Sequence, residues 1–89
     1  MATGKSFQLE ILTPVKTVFT GPIESLVAPG ALGYLGVLAN HAPLVTTLVP
    51  GKVTFRDPAG NVRILQSTGG GFLDVAHNRA VMLLDTAAS

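Results

Sequence analysis

The fold class is decided by the stretch KVTFRDPAGNVRILQS, residues 52–67. Its middle, DPAGN at residues 57–61, carries Asp, Pro and Gly at the first, second and fourth positions, which is the composition of a type I turn. The segments on either side are rich in β-branched and aromatic residues, which strands favour. Two such segments joined by a turn predict a β-hairpin.

Outside this hairpin the chain repeats the same strand and turn signals. In FQLEIL, residues 7–12, every second residue is apolar, which predicts a strand with one buried face. RAVMLLDTAA, residues 79–88, has a helix-favouring composition, but its position after the turn residues His77 and Asn78 favours a strand. Breakers recur about every eight to twelve residues, the spacing of an all-β sandwich or barrel. Further strands are predicted at KTVFTG (16–21), IESLVAPG (23–30), YLGVL (34–38), LVTTLV (44–49) and GFLDVA (71–76), with Gly21-Pro22 as the turn between the first two.

Length and composition indicate one domain, residues 1–89, whose surface other proteins cover in part. The chain has 89 residues and no cysteine. Only 12% of the residues are charged, against roughly 25% in an average soluble domain. Because a small domain has much surface per residue, so low a charge content predicts exposed apolar patches, as on a subunit held between partners. A compact, stable monomer is the alternative that composition leaves open.

The same numbers exclude several classes of partner. A formal net charge of +1 is too small to indicate nucleic-acid binding or attraction to an anionic membrane. No apolar run approaches the roughly 20 residues of a membrane-spanning helix, and MATGKSFQLE at the N-terminus lacks the apolar core of a secretory signal. Any association with a membrane is therefore expected to be peripheral and through protein contacts only.

No arrangement of residues predicts catalysis, a metal site or a cofactor site. GKS at residues 4–6 lacks the glycine that a phosphate-binding loop needs five residues earlier. GGG at residues 69–71 has no adjacent Lys or Arg, so a bulge or a close approach between strands is the favoured explanation. His41 and His77 are the only histidines, too few for a zinc site, and neither has an acid placed to complete a catalytic triad.

His41 lies in GYLGVLANHAPLV, residues 33–45, at a corner between Asn40 and Pro43. One interpretation is structural: the ring caps backbone carbonyls at this corner. The other is functional, because loops on a rigid sandwich tend to carry recognition, and Tyr34 supplies an anchor of the kind enriched at interfaces. Spacing alone gives the two interpretations equal weight.

Longer segments of the chain resemble one protein family. VAPGALGYLGVLANHAPLVTTLVPGKVTFRD at residues 27–57 and STGGGFLDVAHNRAVMLLDTA at residues 67–87 are similar to the epsilon subunit of F-type ATP synthase. The motifs TPVKTVFTG, APG, LGVLANHAPL, PG, GGFLDV and LLDTA follow the order of that family, from about residue 7 to residue 87. Several short motifs in order make a more specific signal than any one of them.

The resemblance implies a flattened β-sandwich of about ten short, mostly antiparallel strands. In that family the domain lies at the foot of the central stalk, where it packs on the gamma subunit and on the polar loops of the c-ring. The subunit belongs to the rotor and couples proton-driven rotation of the ring to ATP synthesis. The resemblance thus implies a non-catalytic subunit without a cofactor, peripheral at the cytoplasmic face of the bacterial inner membrane.

The resemblance also implies which residues contact those partners. At the position of Tyr34 the family often has an acid that meets a basic c-ring loop, so tyrosine predicts an apolar or hydrogen-bonded contact instead. Asn40 replaces a frequent glycine, which asparagine can do because it tolerates positive φ. The positions expected to face gamma or the c-ring are a loop motif and one residue downstream of it: Gly33, Tyr34, Leu35, Gly36, Asn40, His41, Ala42, Pro43 and Thr46.

Family members usually continue after the DTA stretch into a two-helix hairpin that inhibits ATP hydrolysis and, in some members, binds ATP. This chain ends at Ser89. We therefore expect a short form with no C-terminal helices, no hairpin-type inhibition and no hairpin ATP site. The alternative function is a stand-alone β-sandwich module that binds a ligand or another protein, although only four Phe, one Tyr and no Trp are present to line a ligand cleft.

Overall fold

The computed structural model describes residues 5–88, which form strands and connecting turns without a helix. The predicted all-β class and the predicted number of about ten strands are confirmed. This part of the chain accordingly has no helix that could cross a membrane. The strands are β1 (Phe7–Leu12), β2 (Thr17–Ile23), β3 (Ser25–Gly30), β4 (Gly33–Leu38), β5 (Leu44–Leu48), β6 (Gly51–Arg56), β7 (Val62–Ser67), β8 (Gly71–Ala76), β9 (Arg79–Leu84) and β10 (Ala87–Ala88).

Paired strands follow a single path, β10-β7-β6-β3-β5-β8-β9-β1-β2, and β4 pairs with β3 beside this path. Only one residue pair, Gly30 with Leu48, joins β3 to β5. The path folds over at this pair, so that a first sheet, β10-β7-β6-β3-β4, faces a second, β5-β8-β9-β1-β2. β1 is parallel to β9, and the other pairings between these strands are antiparallel. The result is the predicted flattened sandwich, 35 × 25 × 21 Å in extent.

One apolar core lies between the two sheets. In β1 the predicted alternation is confirmed, because Phe7, Leu9 and Ile11 are buried and Gln8 between them is exposed. Burying one such side chain stabilises a fold by about 1.5–3 kcal/mol, so this core is the main source of stability. Both sheets contribute to it, with Phe7, Leu9, Ile11, Ile23, Leu26, Ala28, Val37, Leu48, Val53, Phe55, Leu65, Leu73, Val75, Ala80, Met82 and Leu84 buried.

One side of the sandwich is closed by aromatic packing. Phe19 of β2 lies with its ring 4.6 Å from the ring of Phe55 in β6, which links the far strand of the second sheet to the first. The guanidinium of Arg63 in β7 lies 5.4 Å from the centre of the Phe19 ring, within reach of a cation–π contact. These three side chains cover the core where β2 ends the second sheet.

The predicted turn at Gly21-Pro22 is wrong, because both residues lie inside β2 and pair with β1. Pro22 pairs with Gln8, whose N–H donates to the carbonyl of Asn78 on the opposite side of β1 (3.2 Å). The pair is therefore one without hydrogen bonds, and the nitrogen of Pro22 faces the free edge of β2. Proline is tolerated there because it removes no bond from the ladder. The break between β2 and β3 falls at Glu24 instead.

The close approach predicted for the three glycines at residues 69–71 is confirmed. A Cβ on Gly71 would lie 2.0 Å from the carbonyl oxygen of Leu83, and a Cβ on Gly70 would lie 2.9 Å from the carbonyl oxygen of Leu48. No side chain fits at those distances. β8 therefore begins with Gly71 because β9 leaves no room for a side chain there, and Gly70 precedes it because β5 leaves none.

The hairpin between β6 and β7 has the predicted type I turn. Gly60 donates its N–H to the carbonyl of Asp57 (3.0 Å), which is the bond that closes such a turn. The Asp57 carboxylate accepts the N–H groups of Asn61 (2.9 Å) and Ala59 (3.0 Å). The bond from the Asn61 backbone contributes most to keeping the pKa of Asp57 below its ordinary value.

Candidate functional site

The nine residues predicted to contact partners lie on β4, on β5 and on the corner between them. Four belong to β4, four to the corner at residues 40–43, and Thr46 to β5. The expectation of a single loop is wrong, because the six-residue β4, roughly 20 Å long, separates Gly33 at one end of the sandwich from Asn40 near the other. We call this strand, corner and strand, residues 33–48, the open edge.

Alternate backbone groups of β4 point away from the sheet. Pro29 pairs with Tyr34, and the carbonyl of Pro29 accepts the N–H of Val49 (2.9 Å) beside β5. The N–H and C=O groups of a strand residue point to the same side of the strand. The carbonyl of Pro29 therefore points away from β4, and the pair of Pro29 with Tyr34 has no hydrogen bonds. Tyr34, and Gly36 two residues later, therefore direct their N–H and C=O groups outward. Within residues 5–88, β4 pairs with β3 alone.

Tyr34 combines a structural hydrogen bond with an exposed ring. Its hydroxyl accepts the backbone N–H of Lys52 (3.0 Å) at a point where β3 and β6 no longer pair, since their ladder ends at Val27 and Thr54. A Cβ on Gly51 would lie 2.9 Å from this hydroxyl, so glycine at that position makes room for it. The residue stays 60% exposed. Because the hydroxyl already has a partner, the ring face favours the apolar kind of contact.

The remaining strand positions divide between core and surface. Leu35 is half-buried and packs against the core. Thr46 is half-buried as well and pairs with the fully buried Leu73, so its side chain faces inward, where its hydroxyl donates to the carbonyl of Thr47 (3.3 Å). Gly36 is exposed, and the nearest heavy atom to a Cβ there would lie 4.0 Å away. Leu35 and Thr46 thus support the open edge from within, whereas Gly36 belongs to its surface.

Hydrogen bonds hold the corner of the open edge. Asn40 has a φ of 62°, which agrees with the expectation that it replaces a glycine. His41 donates its N–H to the carbonyl of Leu38 (3.2 Å), and its Nδ1 lies 2.7 Å from the carbonyl oxygen of Ala42. With a proton on Nδ1 the ring donates to that carbonyl. The structural interpretation of His41 is confirmed, while its contact with a partner stays a prediction.

Asn78 lies outside the open edge but holds its corner, although the sequence patterns gave it only a turn role. With His77 it forms the turn between β8 and β9, at φ values of 58° and 54°, as a type I′ hairpin requires. Its Oδ1 accepts the N–H of Asn40 (2.7 Å), and its Nδ2 donates to the carbonyl of Ser6 (2.9 Å). One side chain therefore ties the corner to the β8–β9 turn and to the start of β1. Local sequence could not reveal this, because the turn alone accounts for asparagine.

The surface of the open edge is apolar and uncharged. No Asp, Glu, Lys or Arg occurs anywhere in residues 27–51. Ala42 and Pro43 at the corner are exposed, which leaves their side chains available for contact. Such a surface suits an apolar protein contact rather than an ionic one. The large apolar residues exposed along this stretch are Val27, Leu32, Tyr34, Leu38, Val45 and Val49.

A separate cleft of about 500 Å³ lies on the outer face of the second sheet, lined in part by Leu12, Phe72 and Leu83. Arg79 and Glu10 form an ion pair across β9 and β1 (2.6 Å), with side chains that are 53% and 28% exposed, so solvent screens the pair and it adds little stability. Among the described residues, no three His, Asp or Glu side chains lie close enough together to hold a metal ion.

Sequence comparison relates the chain to ATP synthase subunits. The profile of the family described as ATP synthase, Delta/Epsilon chain, beta-sandwich domain, matches residues 6–89. An ATP synthase epsilon chain from Desulforamulus reducens is 47% identical over 84 residues, which cover 94% of this chain and 62% of that relative. The chain therefore spans less than two thirds of the length of this relative, and the resemblance noted from the motifs is confirmed.

Two solved assemblies contain a chain of the same fold. In the Euglena gracilis mitochondrial ATP synthase (OSCP/F1/c-ring in rotational state 1), the similar chain has a TM-score of 0.87 at 21% identity, covering 93% of this chain and 52% of its own length. In the Tetrahymena thermophila mitochondrial ATP synthase (central stalk and c-ring), the similar chain has a TM-score of 0.74 at 16% identity. The match covers 90% of this chain and 63% of that one. At such identities the likeness supports the fold, and the family follows from the sequence: the chain belongs to the delta/epsilon-chain family of ATP synthase through its β-sandwich domain.

Proposed function

We propose that the chain is a rotor subunit of an F-type ATP synthase, and that its open edge contacts the gamma subunit and the polar loops of the c-ring. It performs no reaction of its own and couples rotation of the ring to the catalytic head. The observation that carries this proposal is the uncharged stretch at residues 27–51, which exposes apolar side chains together with outward backbone groups.

The length of the open edge supports contact with two proteins. Tyr34 lies near one end of β4 and the corner at residues 40–43 lies beyond the other, with roughly 20 Å of strand between them. We assign the Tyr34 end to the c-ring, as the position of the family's acidic residue suggests, and the corner with β5 to gamma. An uncharged tyrosine there requires a c-ring loop that offers apolar or peptide surface.

The proposed role needs a rigid connection between those ends, because a mobile corner would not carry torque. The bonds from Asn78 to Asn40 and Ser6 supply that rigidity at the corner end. In this role the domain is peripheral to the membrane, bound through protein contacts only. We place it at the cytoplasmic face of a bacterial inner membrane.

The proposal is tested by binding of the purified chain to a gamma-containing catalytic head from which epsilon has been removed, measured by calorimetry. We expect one-to-one binding. Gly36→Glu places a charge at the middle of β4 without a clash, since 4.0 Å separates the nearest atom from its Cβ, and should weaken binding by about tenfold or more. Thr20→Glu, at the middle of the free edge of β2, should change the binding by less than about twofold.

Absence of binding by the unmodified chain would refute the rotor proposal. Binding that Gly36→Glu and Thr20→Glu affect equally would retain the rotor role but reject the open edge as its surface. A purified c-ring in detergent, added to the gamma complex, extends the same comparison to the second partner. There the test variant is Tyr34→Glu, which restores the acid frequent in the family.

The alternative of a ligand-binding module would use the cleft beside Phe72 and Leu83. Its apolar lining would suit a hydrophobic small molecule. Phe72→Ala should abolish binding of such a ligand, yet leave binding to the catalytic head unchanged if the open edge is the partner surface. The same variant therefore separates the two functions.

A further inference from the structure

We propose that the free edge of β4 pairs with the β4 of a second copy of this chain, in an antiparallel, two-fold symmetric dimer centred on Gly36. The inference goes beyond the proposed function and does not depend on it. It uses only the backbone direction, the side chains and the charge of the strand Gly33–Leu38.

The backbone of β4 is self-complementary about Gly36. Residues 34, 36 and 38 share one parity, so their backbone groups point to the free side, although the carbonyl of Leu38 already accepts the N–H of His41 (3.2 Å). A two-fold axis at Gly36 places Gly36 opposite itself and Tyr34 opposite Leu38. In these three pairs both strands direct backbone groups outward, and the Leu38 carbonyl would accept a second N–H besides that of His41. A register shifted by one residue keeps only two such pairs: Tyr34 with Gly36 when the axis lies at Leu35, and Gly36 with Leu38 when it lies at Val37. The Gly36-centred register is therefore favoured.

The side chains fit the same register. Tyr34 and Leu38 are 60% and 64% exposed on the outer face. The two-fold axis places Tyr34 of one copy beside Leu38 of the second copy, and Leu38 of the first beside Tyr34 of the second. Aromatic and aliphatic side chains facing each other across antiparallel strands stabilise the pairing. Gly36 at the axis has no side chain to collide with its copy. No charged residue occurs in β4, so nothing on the strand repels a second one.

The free edge of β2, which is also long, is protected against pairing. Of these two edges, β4 is therefore the one more able to pair with another strand. In β2 the nitrogen of Pro22 faces the free edge and has no hydrogen to donate, and a proline there interrupts any added ladder. β4 contains neither a proline nor a bulge in its pairing with β3. Within the described chain the two edges thus differ in the feature that prevents edge-to-edge pairing.

The dimer is expected to be weak. Stable homodimers bury roughly 1,200–2,000 Å² or more, whereas six residues of one edge offer much less. We therefore expect a dissociation constant of about 0.1–1 mM. Dimerisation would occupy the same edge as the proposed partners, so the two associations would be mutually exclusive.

The test is sedimentation equilibrium of the whole chain from about 10 μM to about 1 mM. The apparent mass should rise from 9.2 kDa toward twice that value. Gly36→Pro removes an outward N–H, leaves the β3–β4 ladder intact and should keep the chain monomeric throughout. Thr20→Pro is the matched control. Thr20 pairs with Glu10 and lies two residues before Pro22, so its N–H also points to the free edge of β2. It should dimerise like the unmodified chain.

A mass that stays monomeric up to the highest concentration overturns the proposal, as does a Gly36→Pro variant that dimerises normally. A Thr20→Pro variant that loses dimerisation moves the contact to β2 and overturns it too. Amide exchange in the unmodified chain gives a readout that needs no variant: the N–H groups of Tyr34 and Gly36 should gain protection at high concentration. A chain that binds the catalytic head but never dimerises would reject this inference and leave the proposed function standing.

Discussion

Two strands of this molecule carry a glycine for opposite reasons. In β8, inside the second sheet, a Cβ on Gly71 would lie 2.0 Å from the carbonyl oxygen of Leu83. In β4, at the open edge, the nearest atom to a Cβ on Gly36 would be the carbonyl oxygen of Leu26, at 4.0 Å. The fold requires the first glycine and makes no demand for the second. The difference teaches that packing determines which residue stands in the interior of the second sheet, whereas the open edge has room for a side chain at Gly36.

The largest expected effect comes from adding one methyl group at each of these glycines. Gly71→Ala must separate β8 from β9 and should lower the free energy of unfolding by about 3 kcal/mol or more. Gly36→Ala should leave it unchanged or raise it by up to about 1 kcal/mol, because alanine reduces the entropy of the unfolded chain. Urea denaturation of the two variants measures both. Equal effects would remove the distinction between packed interior and free edge.

The next effect concerns Asn78, which joins the β8–β9 hairpin to the corner of the open edge. Asn78→Gly keeps the positive φ but loses the bonds to Asn40 and Ser6, and should cost about 1 kcal/mol. Asn78→Ala loses the same bonds and must also hold alanine at a φ of 58°, which adds about 1–2 kcal/mol. The amide of Asn40 should exchange faster in both variants. Unchanged exchange there would mean that Asn78 does not order the corner.

A smaller effect is expected from Tyr34→Phe, which removes the acceptor of the Lys52 N–H and keeps the exposed ring. Because water replaces the hydroxyl at this exposed site, the loss of stability should be about 0.5–1 kcal/mol. Binding to a gamma-containing head or to the c-ring should hold if the ring face makes the contact. Weaker binding with unchanged stability would show instead that the hydroxyl serves a partner.

The smallest effect is expected at Asp57, in the turn between β6 and β7, which is neither a packed sheet interior nor a free edge. Its pKa is lowered mainly by the backbone N–H of Asn61. A group whose pKa is lower in the folded state stabilises the fold above its unfolded-state pKa, and this contribution is lost as the pH falls through the folded-state value. Asp57→Ala should therefore lower the melting temperature slightly at neutral pH and not below about pH 3. The same difference at both pH values would contradict the assigned cause.

Much of the fold could be predicted from local sequence. Alternation in β1, the turn composition at residues 57–61 and the tolerance of Asn78 for positive φ act over a few residues, and the structure confirms all three. The turn predicted at Gly21-Pro22 failed because proline breaks a central strand but not an edge strand. Whether β2 is an edge depends on the pairing of the whole sheet, which no local pattern contains.

Sequence could predict which segment of the chain forms the candidate site, but not which of its side chains face outward. The motif around His41 indicated the right segment, yet only the structure separates outward Gly36 from inward Leu35 and Thr46. That separation follows from strand parity, which needs the register with a neighbour. The contribution of Asn78 was invisible for the same reason, since its partner Ser6 lies 72 positions away in the chain.

The parallel pairing of β1 with β9 also governs how the molecule folds. β1 is a central strand of the second sheet, between β2 and β9, and its ladder with β9 joins Gln8 to Arg79. During synthesis β1 must therefore wait, with one side uncovered, until β9 has left the ribosome. Pairings this distant in sequence make folding slow, on the order of milliseconds to seconds. A chain truncated before β9 would leave one edge of β1 unpaired, with β2 alone on the other side.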